Sequence, residues 1–326
     1  KELKAQIKNK TFSRCYLFYG TEEYLKKSYE TALTKAMIPA DAETMNHDYF
    51  IEKGAVAAAI MDAAETLPFL NDMRLVTVRN SDFFRKGGRK EEGEKLRAWL
   101  ETIPETTCLL FVEEQAEKSN ALYKAVAKMG KVVEFSAPTE KELISWLQKE
   151  CKAAKTVMTN AEAVSFLRYV GGDMEQLSRE LSKLLDYCGG RTITKEDMEA
   201  VCTPSFEAKV FDLVKAVANH RCDQALLLYH RLLDGKESPY LILSMMARQF
   251  RFILQANGLS QKGLTNAEIA QQLSVQEFAV REYLRQGKTF AENTLKQAIA
   301  DCLQTDLDIK NGRIPDEAAV ELFLIR

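Results

Sequence analysis

At 326 residues the chain is longer than one hydrophobic core usually serves, so two or three domains are expected and burying a core is no obstacle. Its 45 basic and 47 acidic side chains give a formal net charge of −2, which excludes an overall field that would gather nucleic acid; any DNA affinity has to be local or shared with partners. Seven scattered cysteines without a C-x-x-C pair read as small buried hydrophobes in a reducing compartment, and His47, His220 and His230 lack the clustering of a zinc site.

In chain order, Cys15-Tyr16-Leu17-Phe18-Tyr19 is an apolar strand stopped by Gly20, and Glu22 to Met37 follows with helical spacing. Asn46 to Ile51 is a second, weaker strand, then comes an alanine-rich helix from Gly54 to Glu65. Pro68 lacks an N–H and pushes Leu67 away from helical geometry, so that helix ends at a corner, Leu67-Pro68-Phe69-Leu70. The β-branched run Arg74 to Arg79 is the third strand. A basic, glycine-containing loop from Phe83 to Lys90 and a helix from Glu94 to Thr102 lead to the fourth strand, Cys108 to Val112, and a helix from Asn120 to Met129 leads to the fifth, Lys131 to Phe135. Five short strands alternating with helices predict an α/β domain with a mainly parallel sheet covered on both faces.

From Thr139 onward strand signals stop. Glu140–Lys152, Asn160–Val170, Asp173–Tyr187 and Thr194–Val201 read as four short-linked helices, with Thr139 and Glu142 set for a capping box and Gly171-Gly172-Asp173 for a helix stop and restart. After Pro204 the chain is helical from Phe206 to Arg326, with breaks expected near Asn219, Asp234-Gly235, Gly258 and Gly287, as in a helical bundle. The expected domains are therefore 1–138, 139–203 and 204–326.

Catalytic chemistry finds no footing in these residues. A glycine between a strand and a helix is where a phosphate loop would sit, but in a G-x-x-x-x-G-K-[ST] register from Gly20 the second glycine is Leu25, the lysine is Lys26 and the Ser/Thr position is Lys27. Glu22 and Glu23 would also repel a phosphate. Glu113-Glu114, after the fourth strand, reads as a solvated strand end rather than a metal site. No triad and no dinucleotide fingerprint is present, so the chain reads as non-catalytic, without cofactor or metal. Lys1-Glu2-Leu3-Lys4 offers no apolar signal core and no run is long enough to span a bilayer, so a cytoplasmic protein is expected.

Two binding signals remain. Leu264 to Arg281 has the cadence of a helix-turn-helix, with Ala270 at the crossing and Val275 at the turn; Glu277 and Glu282 accompany Gln276, Arg281 and Arg285, and that mixed charge favours packing inside a bundle over reading bases. The basic loop Arg85 to Lys90, flanked by Phe83 and Phe84, could track a phosphate backbone but reads more simply as a solvated connection.

Taken in order, these segments resemble the delta subunit of the bacterial DNA polymerase III clamp loader, a family of degenerate AAA+ proteins. The likeness rests on Tyr16 to Leu25, on Thr66-Leu67-Pro68-Phe69-Leu70 with Arg74-Leu75-Val76, on Asp173 to Tyr187, and on Phe211-Asp212-Leu213-Val214, Ala247 to Arg251 and Thr305 to Gly312. Related active ATPases place an arginine after Gly-Asp-x, whereas Glu175 follows Gly172-Asp173-Met174 here. The resemblance implies an AAA+-like α/β domain without a working P-loop, a helical lid and a helical collar. It implies a subunit of a DNA-directed DNA polymerase holoenzyme that binds and opens the sliding clamp, with ATP hydrolysed by gamma/tau sister subunits in a hetero-oligomeric ring that includes delta-prime. Primer-template DNA would be met through the assembled complex. By residue type alone Leu67, Phe69 and Leu70 are a core lead-in; the resemblance makes them an exposed wedge for the clamp. The second reading is a helix-turn-helix DNA-binding regulator acting through Leu264 to Arg285, and the third a residual ATPase dependent on Lys26.

Overall fold

The computed structural model describes residues 2–325, Lys53 through its backbone. The chain divides into two compact units, Lys1–Pro138 and Thr139–Arg326.

The first unit is built on five strands: β1 (Cys15–Tyr19), β2 (His47–Ile51), β3 (Arg74–Arg79), β4 (Thr107–Glu113) and β5 (Lys131–Glu134). They form one all-parallel sheet in the order β2-β3-β4-β1-β5, with Leu17 opposite Phe111 on one side and Val132 on the other. Interior strands of such a sheet bury both faces and so read as continuous apolar runs. Tyr16, Phe18, Leu75 and Leu110 pack with Leu3, Leu33 and Met37 of helices Glu2–Asn9 and Glu23–Met37. Cys15, Leu17, Val76, Val78 and Phe111 pack on the opposite face with Ile60, Leu96 and Val126 of helices Ala57–Glu65, Lys90–Trp99 and Ala121–Met129. Phe83 and Phe84 belong to this second core, so the aromatic flank of the basic loop anchors it; the Arg89 guanidinium lies 5.1 Å from the Phe83 ring centre and donates to the Ala55 carbonyl at 2.7 Å. The helix after that loop begins at Lys90, four residues before the expected Glu94, because acidic Glu91 and Glu92 suit its first turn and Glu92 receives the Ala57 N–H at 2.6 Å.

The second unit is all helix. Glu140–Ala153, Asn160–Val170, Met174–Cys188 and Lys195–Val201 come first, followed by Phe206–Ala218, Cys222–Asp234, Pro239–Gln261, Asn266–Leu273, Glu277–Gly287, Glu292–Lys310 and Asp316–Leu324. Their starts are local chemistry. Thr139 with Glu142, Thr194 with Asp197 and Thr265 with Glu268 form capping boxes, and Asp173 caps Gln176. Gly258 breaks nothing: it lies inside Pro239–Gln261, which ends at Gln261, two residues before Gly263 at φ +84°. A helix tolerates an interior glycine when Phe250, Ile253 and Ala256 bury the face beside it. Of the seven cysteines six are buried and Cys222 is exposed; none is in a disulfide.

Candidate functional site

The two ends of the sheet present different surfaces. At the carboxyl ends of β1 and β4 the chain leaves in opposite directions, to Glu23–Met37 on one face and Ala121–Met129 on the other, which is the crevice where open α/β sheets bind nucleotides. Here it is filled from within. The Gly20 N–H donates to the Glu114 carbonyl at 3.2 Å and the Glu22 N–H to the Phe135 carbonyl at 3.1 Å, so backbone donors that could cradle an anion already have acceptors. Gly20 takes φ +125°, and a Cβ there would lie 2.2 Å from the Phe135 oxygen. Lys26, in register with the lysine of a phosphate loop, is fully buried; its Nζ donates to the Glu113 carbonyl at 3.0 Å and pairs with Glu23 at 2.5 Å. A nucleotide would have to break those contacts before gaining any.

Glu113 itself corrects the sequence reading. It is the last residue of β4 and is 2% exposed, and its Oε1 accepts from the Ser81 N–H at 3.0 Å and from the Ser81 hydroxyl. Burial pushes its carboxyl up to about 7, against the opposing pull of the Ser81 hydrogen bonds. It is a buried brace and not a solvated strand end. Among the described residues no group of three or more His, Cys, Asp or Glu could hold a metal ion.

At the amino ends of β2 and β3 lies the corner. Leu67 is 75%, Phe69 59% and Leu70 89% exposed, so the three side chains are not core. A corner with so little packing needs polar bonds to hold its shape. Thr66 Oγ1 donates to the Asp62 carbonyl at 2.9 Å, ending the helix, and Asn71 Nδ2 donates to the Met73 carbonyl at 2.5 Å. The buried Asn46 receives the Phe69 N–H on Oδ1 at 2.6 Å and donates from Nδ2 to the Phe69 carbonyl at 2.9 Å. Arg74, first residue of β3, donates to the Met45 carbonyl at 3.0 Å and pairs with Asp48 at 2.6 Å, fixing the turn that carries Asn46. Sequence reasoning missed Asn46. Its partner is 23 positions away, and no periodicity connects a polar residue before one strand to a corner before the next.

The helix-turn-helix cadence is real as geometry. Asn266–Leu273 and Glu277–Gly287 are joined through Ser274 at φ +54°. The second helix, however, buries Val280, Tyr283 and Gln286, and Gln286 donates to the Phe211 carbonyl at 3.1 Å. Its basic groups are engaged as well. Arg281 pairs with Glu140 at 2.5 Å and with Glu277 at 3.4 Å, while Arg285 donates to Glu282 through Nε at 3.0 Å. A helix packed and paired in this way has few side chains left to offer a major groove.

Sheet, filled crevice and capped helices together define a class: an α/β domain with a five-stranded parallel sheet whose switch-point crevice is filled by its own backbone groups and Lys26, followed in the chain by a helical unit. Comparisons with known proteins agree. A family model described as DNA polymerase III, delta subunit matches residues 16–136, and one described as DNA polymerase III delta subunit, C-terminal domain matches residues 207–326. The DNA polymerase III subunit delta of Bacillus subtilis (strain 168) is 27% identical over 319 residues, covering 95% of this chain and 92% of that protein. The probable DNA polymerase III subunit delta of Aquifex aeolicus (strain VF5) is 22% identical over 258 residues, 77% of this chain and 72% of the relative. The solved structure of the Bacillus subtilis DNA clamp loader delta protein has the same fold, with a TM-score of 0.72 and 24% identity, covering 99% of this chain and 98% of that one. The chain belongs to the DNA polymerase III delta-subunit family.

Proposed function

We propose that this chain is the non-catalytic clamp-loader subunit that binds and opens the sliding clamp during DNA replication, with Leu67, Phe69 and Leu70 as the wedge. The observation that carries the reading is the corner itself: three large apolar side chains held out in water by hydrogen bonds to buried or half-buried neighbours. An apolar tip of this kind is a compact hot spot, each side chain contributing about 1.5–3 kcal/mol when a partner removes it from water. Such a wedge opens a ring only when it fits the open or strained interface better than the closed one.

In this reading ATP is bound and hydrolysed by gamma/tau sister subunits, since the crevice of this chain is already occupied by Lys26, Glu113 and the Phe135 carbonyl. Residues 139–203 act as a lid and 204–326 as a collar that joins delta to gamma/tau and delta-prime in a cytoplasmic ring, with primer-template DNA engaged by the assembled complex. The test is binding of the purified full chain to its cognate sliding clamp, beside a folded Leu67→Ala/Phe69→Ala/Leu70→Ala variant. Tight binding lost in the variant supports the wedge; equal binding by both places the contact elsewhere.

A further inference from the structure

We propose that Asn46 is the positioning residue of the wedge, a side-chain clip that presents Leu67, Phe69 and Leu70 in their docking arrangement before any partner arrives. The inference rests on the clamp-binding reading above. Asn46 ends the short helical turn Glu43–Asn46 and is fully buried. Its carboxamide makes three bonds: Nδ2 to the Ala42 carbonyl at 2.9 Å, Nδ2 to the Phe69 carbonyl at 2.9 Å, and Oδ1 from the Phe69 N–H at 2.6 Å. One side chain therefore satisfies both backbone polar groups of Phe69, as a neighbouring strand would.

The rest of the corner shows why a clip is needed. Leu70 sits at φ +50°, a left-handed backbone that a branched apolar residue disfavours, and its side chain is too exposed for packing to enforce it. Without a constraint the tip would spread over many conformations, and a partner would have to order it on binding. With the clip, and with Asn71 bracing the other side through the Met73 carbonyl, that ordering is already present in the free protein.

The removal of Asn46 is expected to lower the fraction of molecules with a competent tip to about one tenth, and apparent clamp affinity about tenfold with it. Asn46→Ala removes the clip. Asn46→Asp keeps the acceptor but loses the donors and turns a carboxylate toward the Ala42 and Phe69 carbonyls, so its loss is at least as large. Tyr16→Phe serves as the stability control, since it removes the half-buried hydrogen bonds that the Tyr16 hydroxyl accepts from the Ser13 N–H and donates to Gln6, away from the corner. A further measurement needs no variant: the Phe69 amide of the wild-type chain, although its side chain is exposed, exchanges with solvent at least tenfold more slowly than an unprotected amide.

Weakened clamp binding in both Asn46 variants, with Tyr16→Phe binding normally, supports the clip. Wild-type affinity in both Asn46 variants, or free exchange at Phe69 in the wild type, overturns it while the wedge stands if the triple variant has lost binding. An equal loss in Tyr16→Phe also overturns it, because general instability then explains the effect. A triple alanine variant that binds as the wild type does overturns the wedge and the clip together.

Discussion

The two ends of one sheet use the same resource in opposite ways. At the carboxyl end, backbone donors, a lysine and a carboxylate that could have received a ligand are consumed by Phe135, Glu114, Glu113 and Ser81, and the crevice closes on itself. At the amino end, Asn46 consumes the backbone N–H and carbonyl of Phe69, Thr66 and Asn71 bond the Asp62 and Met73 carbonyls on either side, and the apolar side chains are what stays exposed. The difference teaches that internal hydrogen bonding closes a surface where the available groups are polar and leaves it open to apolar contact where they are apolar.

The sharpest way to break this comparison is the corner. Leu67→Ala/Phe69→Ala/Leu70→Ala should weaken clamp binding at least about a thousandfold, some 4 kcal/mol, by titration calorimetry or surface binding. Its melting temperature should stay near that of the wild type, because these groups are largely exposed already. Gly20→Ala should do the reverse. A Cβ 2.2 Å from the Phe135 oxygen at φ +125° forces the loop apart, so denaturant unfolding should report a loss of roughly 2–4 kcal/mol while the folded fraction still binds the clamp. Unchanged stability in that variant would show the crevice to be looser than described.

A smaller effect comes from Glu113. Its folded value of about 7 lies above the ordinary 4.5, so the folded state binds the proton more tightly and this group's stabilisation declines as pH rises from about 4.5 through about 7. Glu113→Gln, which keeps an oxygen for Ser81 but cannot ionise, should be more stable than the wild type at pH 8 by roughly 2–3 kcal/mol, with the gap closing toward pH 5. A gap independent of pH would mean the carboxyl titrates normally. The smallest expected effect is none: millimolar ATP with magnesium should leave the melting temperature where it is, because Lys26 and the Gly20 and Glu22 amides are occupied. A stabilisation by ATP that disappears in Lys26→Met would revive the residual ATPase.

Much of the architecture was legible from local rules. Strand Arg74–Arg79 and helix Asn160–Val170 fall where the β-branched run and the apolar spacing put them, and the capping box at Thr139 and Glu142 forms as its spacing implies. The departures have physical causes. Gly258 read as a break because propensity is local, and the buried face of a 23-residue helix outweighs one glycine. Glu113 read as solvated because Ser81, which hydrogen-bonds its buried carboxyl, is 32 positions upstream.

The amino-acid sequence by itself determined the alternation of strands and helices, the absence of a working phosphate-loop pattern, and a proline corner bearing three large apolar groups. These follow from backbone sterics and side-chain type, which act over a few residues. Tertiary structure alone decided the strand order β2-β3-β4-β1-β5, the filling of the crevice by Lys26 and Glu113, and the exposure of the corner. Leu-Pro-Phe-Leu is written the same way whether it enters a core or leaves it. The bonds of Asn46 to Phe69, which fix the backbone of the exposed corner, span 23 residues and exist only once the strands are side by side.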